Sequence, residues 1–159
     1  MFKQIFLPLL ATMAIIVVLG LFSQGKIGLP SNLNSSQKVI SINDVKVNIE
    51  VAKTDTEKQK GLGGRNTLVD NSGMIFVFNR EKPTFWMKDT LIPLDIIWIS
   101  DGKIVGINKN VATELGKTDP ELTRYPSPQI IDYVLEVNAG FSDKNKITIG
   151  QSLSGLEQL

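Results

Sequence analysis

Hydrophobic and polar residues alternate along much of this chain with the two-residue period of β-strands. Residues 45–51 are the clearest case, since valine or isoleucine occupies every odd position and a polar residue every even one. Such alternation is typical of a strand with one face in the core and one in water. The polar pair 43–44 separates it from residues 39–42, which are apolar apart from Ser41. The domain is therefore predicted to open with a β-hairpin.

Runs of β-branched and aromatic residues predict further strands downstream. Residues 96–99 are apolar at every position, which predicts a strand that is covered on both faces and central to the fold. Asp101–Gly102 readily supplies the positive φ angles of a type I′ turn and predicts a second hairpin. The remaining predicted strands are 73–78, 84–87, 133–138 and 147–149 with Leu153.

Helix signals are few. Thr54 can cap a short helix, Glu57 completes a capping box, and Gly61 is placed to end it. Residues 108–130 contain three prolines and predict a long excursion with a helical turn near Glu114. About seven short strands with one or two short helices predict a mainly β domain, either a jelly-roll-like sandwich or an open barrel.

The N-terminal part has a different pattern. Residues 5–22 are apolar apart from Thr12 and carry no charge. A helix of this length spans roughly 27 Å, close to the hydrocarbon thickness of a bilayer. We predict a short N-terminus (1–4), a transmembrane signal anchor (5–22), a flexible linker (23–37) and a globular domain (38–159). A cleaved signal peptide is the alternative, but no small-x-small site follows the apolar run.

This organisation predicts a single-pass protein of the inner, or cytoplasmic, membrane. Residues 5–22 would contact the lipid, and the globular domain would face outside the cytoplasm. The serines, asparagines and glycines of residues 23–37 are typical of a flexible tether between the two.

Composition narrows the possible chemistry. The chain has no cysteine and no histidine, which excludes disulfides, thiol nucleophiles, Ser-His-Asp triads and the usual zinc and copper ligand sets. Catalysis would rest on carboxylates, lysine, tyrosine, serine or threonine. No cofactor is predicted, and no metal either, because the aspartates lack the Asp-x-Asp-x-Asp spacing of a calcium loop.

Charge argues against nucleic acid as a partner. Two of the 17 basic residues, Lys3 and Lys26, precede the domain, which leaves 15 basic and 16 acidic residues in it. They are interspersed along the chain, whereas a nucleic-acid-binding domain concentrates its basic residues on one face. We therefore predict a polar ligand or an envelope protein as the partner.

Five ordered motifs carry a resemblance that covers residues 45–153. They include glycine-rich, aromatic and acidic segments, namely Gly61-Leu62-Gly63-Gly64-Arg65, Gly73-Met74-Ile75-Phe76-Val77-Phe78, Phe85-Trp86-Met87-Lys88-Asp89-Thr90, Ile92-Pro93-Leu94-Asp95 and Leu135-Glu136-Val137-Asn138-Ala139-Gly140. Together they resemble the prokaryotic domain-of-unknown-function family 192. The resemblance implies a mainly β fold of jelly-roll or open-barrel type, secreted or anchored by an N-terminal segment. It implies no agreed activity.

Two positions depart from the pattern of that family. Gly63 stands where the family usually has methionine, so a large apolar side chain is missing. Asp89 stands where asparagine is usual, which keeps an acceptor oxygen but removes the amide donor and adds a charge beside Lys88.

Three residues are candidates for ligand binding. The Arg65 guanidinium could hold a carboxylate or phosphate in a bidentate fork. The alternative is an internal salt bridge with Asp95 or Glu136. Strand alternation places Trp86 and Lys88 on one face, where the indole could stack on a sugar ring or a cation. Packing of the indole in the core is the alternative.

Asp95 and Glu136 are candidates for a carboxylate pair in acid–base catalysis, as in glycosidases. The alternative is structural pairing with Arg65 and Lys88. A buried Asp95 would require an ion pair or hydrogen bonds.

These observations support three functional hypotheses. The first is a ligand-binding or protein-interaction module of the cell envelope that uses Arg65, Trp86, Lys88, Asp95 and Glu136. The second is a hydrolase of envelope glycans with Asp95 and Glu136 as catalytic residues. The third is a purely structural role in assembly.

Overall fold

Nine β-strands and two short α-helices make up residues 38–159, the part of the chain that the computed structural model describes. The strands are β1 (Lys38–Ile42), β2 (Val45–Ala52), β3 (Ser72–Glu81), β4 (Thr84–Phe85), β5 (Leu94–Ser100), β6 (Lys103–Val111), β7 (Tyr125–Pro126), β8 (Ile131–Asn138) and β9 (Leu153–Ser154). The helices are α1 (Asp55–Lys60) and α2 (Phe141–Lys144), and short 3₁₀ turns cover Asp119–Glu121 and Leu156–Gln158.

The predicted N-terminus, signal anchor and linker, residues 1–37, lie outside the described residues. Among residues 38–159, no helix has the length and apolar character needed to cross a membrane.

Seven strands form one sheet in the order β6-β5-β8-β3-β2-β1-β9. Neighbours run antiparallel except β2 and β3, which are parallel and are connected through α1. Strands β4 and β7 form a separate two-stranded sheet. The mainly β prediction with one or two short helices is therefore confirmed.

Residues 150–154 connect the two edges of the large sheet. On one side the N–H of Ile104 in β6 donates to the carbonyl of Gln151 at 2.9 Å. On the other side, Leu153 of β9 pairs with Ile42 of β1. The sheet is thus curled into a half-barrel, which corresponds to the predicted open barrel. A two-sheet jelly-roll sandwich is not formed, because one continuous sheet contributes to both hydrophobic cores.

Each face of the sheet carries one core. The first core holds side chains from both sheet edges, which shows that it fills the concave side; it includes Ile40, Ile42, Val47, Ile49, Ile75, Ile97, Ile99, Ile104, Leu135, Val137 and Leu153. The second core lies on the opposite face and includes Ala52, Leu62, Met74, Phe76, Met87, Leu94, Ile96, Trp98, Ile131 and Val134.

Strand β5 contributes to both cores. All seven of its residues are buried, as its two apolar faces predict, although it is second from one edge of the sheet rather than in the middle. The predicted hairpin between β5 and β6 is confirmed, with Asp101 at φ 49° and Gly102 at φ 69°. The opening hairpin β1–β2 is confirmed as well.

Helix α1 has the predicted caps at both ends. The Thr54 hydroxyl accepts from the backbone N–H of Glu57, and the Glu57 carboxylate accepts from the backbone N–H of Thr54. Gly61 ends the helix at φ 46°, a conformation that favours glycine. None of the residues in α1 is buried. The helix therefore lies on the surface, and its caps define where it begins and ends.

Two strand predictions need correction. The predicted strand 84–87 is reduced to the two residues of β4, which pair with β7 outside the large sheet. Both neighbours of β3 are already present, because β2 and β8 flank it, and this leaves no place for the segment. Residues 147–149 form no strand, and only Leu153–Ser154 pairs with β1.

Candidate functional site

A cleft of about 440 Å³ opens above the second core. It lies between α1 and residues 83–90, which contain β4 and which we call the β4 segment. Four aromatic side chains contribute to its lining, so we call it the aromatic cleft. Leu62 and the rings of Phe76, Phe78, Phe85 and Trp86 contribute apolar surface, and Glu136 lines it from β8.

The rings of the cleft brace one another edge to face. Phe85 meets Phe76 at a centroid distance of 5.0 Å and Phe78 at 6.1 Å. Its other neighbour is Trp98 of the second core, at 5.5 Å. T-shaped contacts of this kind are favourable beyond simple area burial. The aromatic cleft therefore has walls whose shape is fixed by the core beneath it.

Glu136 is a buried carboxyl group in the lining of this cleft. Strand alternation places it on the same face as Val134, beside Met74 of β3. It is only 6% exposed, and the hydrogen bonds among residues 38–159 include none to its carboxyl group. Burial raises the pKa of Glu136 to about 8, with no charge or hydrogen bond to offset the desolvation. At neutral pH this side chain is mainly an uncharged carboxylic acid.

Trp86 and Lys88 lie at the mouth of the cleft, just after the end of β4. The Trp86 side chain is not packed in the core, since the residue is 41% exposed. The guanidinium of Arg124 lies 4.5 Å from the centroid of the indole. Lys88 Nζ bonds Asp119 Oδ2 at 2.8 Å, and this contact raises the pKa of Lys88. The loop between β6 and β7 thus closes one side of the mouth of the cleft.

Glu114 organises that excursion. Its carboxylate accepts from Lys117 Nζ at 2.6 Å and from both the hydroxyl and the backbone N–H of Thr123. These contacts lower the pKa of Glu114 to about 2. The loop that carries Asp119 and Arg124 to the cleft is therefore held by charged hydrogen bonds of its own.

A second depression of about 460 Å³ adjoins the aromatic cleft. Gln59, Lys60, Trp86 and Lys88 line both spaces. The second depression contains no phenylalanine in its lining and is bordered by charged residues of both signs, including Asp89 and Asp119.

Arg65 does not line the aromatic cleft. Its guanidinium forms a bidentate salt bridge with Glu50 of β2, at 2.5 and 2.6 Å. This hydrogen-bonded contact lowers the pKa of Glu50. The alternative prediction of an internal salt bridge is therefore confirmed, but the predicted partners, Asp95 and Glu136, are wrong. Glu50 precedes Arg65 by 15 residues and carries no sequence signal that marks it as the partner.

Asp95 lies away from the cleft as well. It is fully buried and accepts hydrogen bonds from the backbone N–H groups of Asn110, Gly140 and Ser142 at 2.8, 3.2 and 2.8 Å. The prediction that a buried Asp95 needs hydrogen bonds is confirmed. Its carboxylate holds the start of α2 against β5 and β6.

Asp95 and Glu136 do not form the predicted carboxylate pair. Asp95 is directly opposite Val137 on β8, whereas Glu136 is opposite Ile96 on β5. Because side chains alternate between the faces of a sheet, the two carboxyl groups point to opposite sides. Neither makes an ion pair with Arg65 or Lys88, which bond Glu50 and Asp119.

The structure thus brings together three of the five predicted site residues, Trp86, Lys88 and Glu136. The aromatic walls were not predicted as part of a site. Alternation along residues 73–78 places Phe76 and Phe78 on one face, which was the available signal. Among residues 38–159, no group of three acidic side chains is arranged to hold a metal ion.

Comparison with known proteins identifies the domain at the level of a family. The family model described as DUF192, Uncharacterized ACR, matches residues 38–155. No significant match is found among curated protein sequences.

Two crystal structures share the fold. One is a protein of unknown function from Novosphingobium aromaticivorans DSM 12444, with 31% identity and a TM-score of 0.66 over 73% of this chain and 83% of that one. The other, from Sinorhizobium meliloti 1021, has been proposed as a transcription regulator; it is 28% identical, with a TM-score of 0.67 over 75% of this chain and 92% of that one.

Proposed function

Because the chain belongs to the DUF192 family, whose description assigns no activity, we propose from its geometry that the domain is a ligand-binding module. Its site is the aromatic cleft, and its contact residues include Trp86, Lys88 and Glu136. One observation carries the proposal: a buried carboxyl group that has no hydrogen-bond partner among residues 38–159 lies in an open cleft with aromatic rings in its lining. Buried polar groups are nearly always hydrogen-bonded, so a bound molecule is the partner that this group lacks.

Binding fits the cleft better than hydrolysis. A glycosidase needs two carboxyl groups on either side of one bond, separated by about 5 to 10 Å. Asp95 is committed to three backbone N–H groups on the other face of the sheet. The Asp95–Glu136 pair of the hydrolase hypothesis is therefore absent from the aromatic cleft, and Glu136 serves there as an anchor for a ligand.

The two adjoining spaces suit an elongated ligand. Its apolar part would pack against Phe76, Phe78 and Phe85, and Trp86 would stack at the mouth. Its polar part would extend into the second depression toward Lys60 and Lys88. Polar ligands and exposed segments of envelope proteins can both combine an apolar part with a polar part in this way.

The proposed location follows the N-terminal sequence. Residues 5–22 anchor the domain in the cytoplasmic membrane, and residues 23–37 hold the cleft outside the cytoplasm. In intact cells, an external protease should digest the domain while a cytoplasmic marker survives. Survival of the domain until the membrane is lysed would reject this topology.

The regulator role proposed for the Sinorhizobium protein is not carried over to this chain. The domain has 15 basic and 16 acidic residues, and duplex DNA is bound by neutralising phosphates with clustered Lys and Arg. Duplex DNA therefore serves as a negative probe in the binding screen.

The binding proposal can be tested with residues 38–159, which contain the whole described fold. Thermal unfolding is followed with envelope glycans, short peptides, nucleotides and small aromatic compounds. A ligand at a hundredfold excess over its Kd stabilises the native state by about 2.7 kcal/mol. We expect at least one class to raise Tm, and the shift to disappear in Trp86→Ala.

Leu115→Ala is the matched control, because Leu115 is an exposed apolar residue outside both spaces. It should keep the full shift. A shift that survives in Trp86→Ala, or a panel without any shift, would contradict a ligand site in the aromatic cleft.

A further inference from the structure

The chemistry of Glu136 defines what kind of group can occupy the aromatic cleft, provided that the cleft is a ligand site as proposed above. The charged side chains around the cleft are Asp55, Lys58 and Lys60 from α1 and Lys88 from the β4 segment. None of them offsets the burial of Glu136. The carboxyl group is therefore presented to a ligand in its protonated form at neutral pH.

A protonated carboxyl group places an O–H donor and a carbonyl acceptor side by side. Its complement is a group with an acceptor and an N–H donor in the same arrangement. Carboxamides, lactams and imides have such an edge, and each can form two parallel hydrogen bonds with a carboxylic acid. A pure hydrocarbon would form no hydrogen bond with the carboxyl group.

Cationic ligands are the main competitors, since aromatic walls with a carboxylate can bind ammonium groups. Here the protein's own cations already occupy the relevant ring faces. Lys58 Nζ lies 4.4 Å from the centroid of Phe78, and the guanidinium of Arg124 covers Trp86. An incoming ammonium would displace them and would also have to remove the proton from Glu136.

We propose that the aromatic cleft binds a planar ring with a carboxamide or lactam edge, and that this edge pairs with the carboxyl group of Glu136. The flat walls formed by Phe76, Phe78 and Phe85 hold the ring by stacking and edge contacts. The cleft volume of about 440 Å³ is within the range of small-molecule sites. Glu136 thus determines specificity, and the rings supply apolar contact.

Three matched probes test the proposal: benzamide, benzylamine and toluene. Each is titrated at pH 7 into ¹⁵N-labelled residues 38–159, and amide shifts of β3, β8 and the 58–62 segment are followed. We expect benzamide to bind at least tenfold more tightly than either of the others. Glu136→Gln keeps a donor and an acceptor and should retain benzamide binding within about threefold. Glu136→Leu should lose at least tenfold.

Glu157→Leu is the control for the leucine variant, because Glu157 is an exposed acid outside the cleft. It should bind benzamide like the wild type. The spectra also show whether Glu136→Leu is folded. Glu136→Gln independently tests whether hydrogen bonding at residue 136 is needed for benzamide binding.

The alternative outcomes separate the two proposals. Tighter binding of benzylamine would overturn the carboxamide assignment in favour of an ammonium ligand, and the cleft would remain a binding site. Equal binding of toluene and benzamide, unchanged in Glu136→Leu, would remove the hydrogen-bonding role of Glu136. If none of the probes shifts the amides of the cleft, both the ligand class and the ligand site are overturned.

Discussion

Asp95 on β5 and Glu136 on β8 occupy adjacent register positions, and their carboxyl groups lie on opposite faces of the same sheet. Asp95 accepts three backbone N–H hydrogen bonds on the concave side. Within residues 38–159, Glu136 has neither an ion pair nor a hydrogen bond to offset its burial above the second core. The first acid stabilises the fold, whereas the second costs stability and is available to a ligand.

The burial of Glu136 predicts an unusual pH dependence. Its pKa is about 8 in the folded state, above the ordinary 4.5. Between these values the folded domain keeps a proton that the unfolded chain releases. The free energy of unfolding should therefore fall as pH rises from 4.5 to 8, by up to about 1.4 kcal/mol per pH unit, and level off above 8.

Urea denaturation of wild type and Glu136→Gln between pH 5 and 9 measures this effect. The chain contains no histidine, so few other groups titrate in this interval. The difference between the two stability curves isolates Glu136 and should grow with pH in favour of Glu136→Gln. A difference that stays constant from pH 5 to 9 would contradict the raised pKa.

Removal of the Asp95 carboxylate should destabilise the domain strongly. In Asp95→Ala, the N–H groups of Asn110, Gly140 and Ser142 lose a charged acceptor inside the protein. Leaving buried donors unsatisfied costs about 3 kcal/mol or more. Chemical denaturation gives the loss, and hydrogen exchange should be faster at these three amides.

Asp95→Asn is the milder comparison, since it keeps one acceptor oxygen and approximate shape. It should lose less stability than Asp95→Ala. Equal stability of Asp95→Ala and wild type would show that the three hydrogen bonds contribute nothing to the fold.

The Arg65–Glu50 pair predicts a measurable coupling energy. The two side chains are 32% and 37% exposed and bond through two parallel contacts. We expect about 1 kcal/mol from a double-mutant cycle of Arg65→Ala and Glu50→Ala, because solvent screens a pair this exposed. The coupling should weaken in high salt.

Arg80–Asp101 serves as the matched control pair. Its atoms are 3.3 Å apart, and its side chains are 62% and 79% exposed. Its coupling should be close to zero. A larger coupling for Arg80–Asp101 than for Arg65–Glu50 would contradict the importance of bidentate geometry here.

Gly73 marks the tightest backbone contact between β3 and β8. A Cβ atom at this position would lie 2.4 Å from the carbonyl oxygen of Glu136 and 2.9 Å from a methyl group of Val137. Gly73→Ala must therefore force the two strands apart, at a cost of about 3 kcal/mol or more. Thermal denaturation should show the loss, and the cleft amides of β8 should shift.

Gly116→Ala is the control for this substitution. Gly116 has φ +79° and no atom within 4 Å of the added Cβ, so only backbone strain of about 1 kcal/mol is expected. If the two variants are equally stable, the close contact at Gly73 is not the limiting feature.

Local sequence signals predict the elements of this fold well. The caps of α1, the Asp101–Gly102 turn and the buried strand β5 depend on residues close in the chain, and all are confirmed. The family resemblance is confirmed as well. The wrong strand predictions depend on which segments, far apart in the chain, pair with one another in the sheet. Residues 84–87 have strand-like composition, but β2 and β8 already occupy both sides of β3.

The candidate site was predictable only in part for the same reason. Trp86 and Lys88 both line the aromatic cleft, although they follow β4 and do not lie on a strand as the alternation prediction assumed. The partner of Arg65 depended on which acidic residue the sheet brings near it. The alternation of side chains along a strand cannot by itself distinguish Glu50 from Glu136. Whether Asp95 and Glu136 share a face depends on the register between β5 and β8, which is fixed by packing of the whole sheet.

The closure of the half-barrel by residues 150–154 also has a consequence for the order of assembly. This segment contacts β6 on one side and β1 on the other, and it follows the other six strands of the large sheet along the chain. Until it is added, a nascent chain exposes two sheet edges that can pair with neighbouring molecules. Shortened chains that stop before residue 150 should therefore aggregate, even though six of the seven strands of the large sheet are complete.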